Sequence, residues 1–91
     1  FGMPQVSLTV RHAHGLHARP AAQFVQAAGR FRSDIRVIYG GREGNAKSIL
    51  SVLALGIDRG SRITLSAQGE DADEALATLA DLLENGCGQV G

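Results

Sequence analysis

The chain has a single cysteine, Cys87, in a glycine-rich stretch near its end. An internal disulfide is therefore excluded, and a cysteine-based metal site is disfavoured. Tryptophan is absent, and the aromatics are only Phe1, Phe24, Phe31 and Tyr39. They are too few and too scattered for the stacking platform of a single-stranded nucleic-acid binder, so no nucleic-acid partner is expected. No apolar run nears the roughly 20 residues of a membrane-spanning helix. The start shows no cationic stretch followed by an apolar core, as a secretory signal would. The expectation is a soluble, cytoplasmic domain with no direct membrane insertion.

Net charge is lacking too, at a formal +0, but the zero hides an asymmetry. Residues 1–50 hold seven Lys/Arg against two Asp/Glu, and residues 51–91 hold two against seven. The halves thus carry about +5 and −5. A basic face, if the fold gathers one, attracts an acidic partner. What the chain has in quantity is apolar side chain, 44% against 20% charged, enough for one core. Ninety-one residues make one small domain without the cleft that two lobes create, so any chemistry belongs on the surface.

Phe1 to Pro4 reads as a remnant or trimmed linker, residues 5–86 as the domain, and residues 87–91 as a tail. Val6, Leu8 and Val10 alternate with Ser7 and Thr9, the period of a half-buried strand. Ala21, Phe24, Val25 and Ala28 recur at helical spacing, which predicts a helix from about Ala18 to Ala28 that Gly29 stops. A second strand is expected over Asp34 to Tyr39 and a third over Arg42 to Asn45, joined by Gly40-Gly41 as a type I′ turn. Lys47 to Leu55 reads as a short helix with Ser48 as its N-cap and Ile49, Val52 and Leu53 as its main stripe. Leu50, Ala54 and Leu55 lie beside that stripe, so some apolar surface is left for a partner. In a fourth strand, Arg62 to Gln68, Ile63, Leu65 and Ala67 point inward and Thr64 and Ser66 outward. Asp71 and Glu74 form a capping-box-like start to a third helix. Its buried stripe is Ala72, Ala75, Leu76, Leu79, Leu82 and Leu83. The order β-α-β-β-α-β-α favours an α+β fold, a mostly antiparallel sheet with three helices on one face.

The chemistry concentrates in Gly15-Leu16-His17-Ala18-Arg19-Pro20-Ala21-Ala22. Proline in a first helical turn loses no needed N–H, so a helix starts here with its free amides toward His17. Unsatisfied N–H groups and the positive dipole end make an anion site, to which Arg19 adds charge. His17 is thereby a candidate phosphoryl-carrying nucleophile, kept neutral by the helix terminus. A competing reading takes His12, His14 and His17 as a metal-binding H-x-H-x-x-H cluster, although no Asp, Glu or Cys stands nearby. Ser48 is first of all a helix cap; a phosphate there is also electrostatically tolerated.

Gly15-Leu16-His17-Ala18-Arg19-Pro20-Ala21 with Phe24-Val25, and Ala46-Lys47-Ser48-Ile49 with Leu55-Gly56, resemble the two signatures of the HPr family. These are the histidine-containing phosphocarriers of the bacterial phosphoenolpyruvate-dependent sugar phosphotransferase system. The resemblance implies an open-faced β-sandwich with strand order 1-4-2-3. It implies that His17 accepts a phosphoryl group on Nδ1 from enzyme I and passes it to an EIIA domain of a sugar permease. Arg19 and the Ala18 amide would hold the phosphate. Ser48 would be a regulatory site for an HPr kinase/phosphorylase. Partners are expected on Ala22, Gln26, Ile49, Leu50 and Leu53. The protein would be a stoichiometric carrier rather than an enzyme, a monomer, and would need no cofactor or metal. Family members that carry lysines on the outer part of the first helix differ here, where Gln26 and Gly29 stand and Arg30 and Arg32 are candidate substitutes.

Overall fold

Four alternating segments pair into one antiparallel sheet in the computed structural model, which describes residues 4–11 and 18–84. The elements run β1 (Gln5–Thr9), α1 (Ala18–Ala28), β2 (Asp34–Tyr39), β3 (Arg42–Asn45), α2 (Ile49–Ala54), β4 (Arg62–Gln68) and α3 (Ala72–Glu84). The sheet order is β1-β4-β2-β3, with the helices on one face. Leu8 stands opposite Ile63, Val37 opposite Leu65 and Ile35 opposite Ala67, so one face becomes continuous hydrocarbon. All six are buried, and Phe24 of α1 and Leu79 and Leu83 of α3 close over them with no exposed surface. On the open face the Ser7 and Thr64 hydroxyls share a hydrogen bond of 3.0 Å. Gly40 and Gly41 adopt φ of +59° and +78°, the positive values that a type I′ turn demands.

The differences from expectation are local. Val10 lies outside β1, yet it stays fully buried, donating to Ser61 O at 2.9 Å and accepting from Gly60 N at 2.8 Å. Ser66 was expected outward and is 2% exposed; its register neighbours on that face are the longer Gln5 and Arg36. Leu82 is only half-buried at the margin of the α3 stripe.

The predicted capping box is not how Asp71 is used. Its carbonyl accepts from Ala75 N at 2.8 Å, but its carboxylate reaches across to the loop after α1. There it accepts from Arg32 N at 2.9 Å, Ser33 N at 3.0 Å and the Ser33 hydroxyl. Two adjacent main-chain donors and a hydroxyl bind a carboxylate better than one amide of its own helix can. The Ser33 hydroxyl first, and then the Arg32 amide, hold this carboxyl below the ordinary carboxylate range. Gly69 makes the approach possible: at φ +151°, a Cβ there would sit 2.7 Å from Ser33 Cα.

The second helix is shorter than Lys47 to Leu55. Asn45 Oδ1 accepts from Lys47 N at 2.9 Å and holds that residue in a turn. Ser48 is extended at φ −116°, ψ 117°, so the helix starts at Ile49. At the other end Leu55 N and Gly56 N bond to carbonyls three residues back, tightening the last turn. The buried side chains are Val52 and Leu55, whereas Ile49 and Leu53, expected in the stripe, are 36% and 38% exposed. Gly44 sets this rotation: a Cβ there would meet Ser51 O and Leu55 Cδ1 at 3.2 Å, so α2 lies close on β3.

Candidate phosphoryl-carrier site

His17, with His12 and His14, lies outside the described residues, and the site is built from what flanks it. Upstream, Arg11 N donates to Leu83 O at 3.1 Å, which ties the chain to the last turn of α3. Downstream, α1 starts at Ala18, the residue directly after His17. Pro20 is its third residue and is buried, as are Ala21 and Phe24. The ring therefore occupies one of the first four positions, whose N–H groups have no intrahelical acceptor. The first turn holds no acidic residue, so nothing there opposes an anion at the helix start. Arg19 is exposed, and among the described residues no carboxylate is paired with it.

The second signature sits on the adjoining helix, since α1 packs against α2. Ser48 is half-buried, and its Oγ accepts from Ser51 N at 3.3 Å, as an N-cap does. Beyond it, Leu50 is 76% exposed between the more shielded Ile49 and Leu53. Three large apolar side chains are thus exposed on one short helix. On α1, Gln26 is exposed and Ala22 half-buried. Arg30, just past the end of α1, lines a groove of about 280 Å³ with Gln23, Gln26, Ala27, Thr78 and Leu82, between α1 and α3, and so stands beside the Gln26 position it was expected to supplement.

The first and last helices differ in charge. Asp73, Glu74, Asp81 and Glu84 are all exposed on α3, which has no basic residue in its last turn, whereas α1 carries no acidic residue. Among the described residues no group of three or more His, Cys, Asp or Glu could hold a metal ion. The three histidines of the metal-binding reading lie outside them. No helix among the described residues is long and apolar enough to cross a membrane. Sequence reasoning missed the tie made by Asp71 and the role of Lys47, whose ammonium donates to Phe31 O at 2.7 Å. The one available signal was that Lys47 is the only lysine in the chain and directly precedes Ser48.

Comparison with known proteins agrees with this arrangement. The model of the phosphotransferase-system HPr component phosphorylation site matches residues 4–85. The phosphocarrier protein HPr of Buchnera aphidicola (subspecies Acyrthosiphon pisum) is 51% identical over 76 residues, covering 84% of this chain and 87% of that protein. The HPr-like protein Crh of Bacillus subtilis is 50% identical over 78 residues, covering 86% and 92%. Among solved structures, HPr from Thermoanaerobacter tengcongensis superposes with a TM-score of 0.92 at 43% identity, over 98% of this chain and 100% of that one. With both signatures, the strand order and nearly the whole domain in agreement, the chain belongs to the HPr family of phosphocarrier proteins of the phosphotransferase system.

Proposed function

We propose that His17 is the phosphoryl acceptor, that phosphorylated enzyme I is the donor, and that an EIIA domain of a sugar permease is the recipient. The observation that carries this reading is the start of α1: a buried Pro20 in the first turn, an exposed Arg19, and His17 immediately ahead in sequence. Neutral imidazole attacks the phosphorus in line with the departing donor nitrogen. As the new N–P bond forms, negative charge on the three equatorial oxygens needs dispersed positive charge around it. The Ala18 amide and the Arg19 guanidinium supply it, and the helix dipole adds to both. The domain holds the group and does not turn over a substrate by itself, so it is a carrier rather than an enzyme.

The same surface selects partners. Leu50, with Ile49 and Leu53 beside it, forms an apolar centre that a partner buries, and Ala22 and the polar Gln26 on the neighbouring helix flank it. Ser48, at the edge of that patch, is the regulatory position, modified by an HPr kinase/phosphorylase. A dianion there stays compatible with the helix start but changes the charge that a partner meets. The protein acts as a monomer; an HPr from Thermoanaerobacter tengcongensis has been solved as a dimer, and sedimentation of this chain decides between the two states. The domain proper is residues 5–86.

The test is a relay assay. With enzyme I, phosphoenolpyruvate and Mg²⁺, one phosphoryl group per chain should load and then leave when a cognate EIIA domain is added. Loading of His17→Ala to the same extent would overturn the assignment, and loading of the wild type without onward transfer would overturn the EIIA step.

A further inference from the structure

Lys47 is the one lysine among nine cationic residues. It stands between the end of β3 and the Ser48 cap, and two bonds fix the backbone there. Lys47 N donates to Asn45 Oδ1 at 2.9 Å, and Ser48 N donates to Asn45 O at 3.0 Å. The side chain leaves this turn for the segment that follows α1 and donates from Nζ to Phe31 O at 2.7 Å. That carbonyl belongs to a run of tight turns continuing the helix, in which Arg30 N and Phe31 N take Ala27 O and Ala28 O, both at 3.2 Å. The last turn of α1 has no basic residue of its own. A cation at the negative end of a helix is stabilising, and here it arrives from a different element. Lys47 therefore joins the Ser48 end of α2 to the far end of the helix that His17 precedes.

We propose that Lys47 is a positioning residue that couples Ser48 to α1: its ammonium holds the two helices in register, and a phosphate on Ser48 draws it off Phe31 O. The proposal rests on Ser48 being the regulatory position. The physical reason is a competition for one ammonium. A neutral carbonyl is a weaker acceptor than a phosphate of nearly two negative charges on the next residue, within reach of a flexible four-carbon side chain. Among the described residues no carboxylate is paired with Lys47 to resist the exchange. Modification at Ser48 then acts in two ways, by adding charge beside the apolar patch and by releasing the contact that sets α2 against α1.

Because the chain has one lysine, [¹⁵N]lysine labelling gives a single side-chain ammonium signal. Phosphoserine installed at position 48 during synthesis makes the experiment independent of any kinase. Release predicts that the ammonium signal and the Phe31 carbonyl ¹³C signal both move, the carbonyl to its position in Lys47→Met. Unchanged signals in the phosphoserine protein overturn the proposal while leaving Ser48 free to be a kinase target. For the positioning role, Lys47→Met should raise the KM for enzyme I by about threefold to tenfold with kcat within about twofold, and Lys47→Arg should restore it. An unchanged KM in folded Lys47→Met, or a failure of Lys47→Arg to restore it, overturns that role.

Discussion

The two helices that carry the signatures are built in opposite ways. The first, α1, has eleven residues, a buried proline in its opening turn, and Ala21, Phe24, Ala27 and Ala28 in the core. The second, α2, has six residues, buries Val52 of its own and Leu55 just after it, and leaves Ile49, Leu50 and Leu53 in water. A helix that must hold a reacting group in front of its amides needs a fixed axis, because stabilisation of an oxyanion falls off steeply with misplacement. A helix that meets several partners gains more from exposed, adaptable apolar surface than from burial. On the function proposed above, the buried helix serves the chemistry and the exposed one recognition, while Lys47 Nζ bonded to Phe31 O and the close approach at Gly44 are the contacts that seat the second.

The contrast predicts a ranked set of effects. Phe24→Ala should remove about 3–5 kcal/mol, since it empties the centre of the core beneath α1; chemical denaturation measures it, and a small loss would mean that α1 is less firmly seated than its burial indicates. Next comes the Asp71 tie, read as a pH effect. Its carboxyl is held below the ordinary value, so its contribution is complete above the unfolded-state value near pH 4 and is lost as pH falls through the lower folded value. Asp71→Asn should flatten the acid side of the stability–pH profile and leave the loop of Arg32 and Ser33 faster in hydrogen exchange. Ser48→Ala loses a cap worth about 1 kcal/mol and should fray α2 with little change in α1. Leu50→Ser should alter stability by less than about 0.5 kcal/mol, the range of an exposed site, while weakening capture by enzyme I. Equal losses for Leu50→Ser and Phe24→Ala would erase the distinction between the helices.

How much of this was legible in the sequence follows the same division. The bounds of α1 were readable because its eleven residues give three turns of periodic apolar positions, with a proline in the first turn and a glycine just past the last. The β2–β3 hairpin was readable from Gly40-Gly41, and β4 from its strict alternation. The buried side of α2 was not. Six residues span fewer than two turns, too few to define a stripe, and Gly44 on another element decides the rotation. Ser66 and Asp71 escaped for the same kind of reason, since their partners and neighbours lie on segments distant in sequence. For the site, the start of α1 next to His17 and the Ser48 cap were readable from residue types and spacing, whereas the roles of His17, Arg19 and Ser48 come from the family resemblance. The link from Lys47 to Phe31 spans 16 residues and was visible only once folded.

The most direct test of the phosphoryl-carrier assignment is to load the chain with enzyme I and phosphoenolpyruvate and to follow the product by ³¹P NMR. We expect one phosphoramidate resonance that is lost on acidification, is absent from His17→Ala, and forms more slowly in Arg19→Ala. An acid-stable phosphate, or the same resonance in His17→Ala, would contradict the assignment.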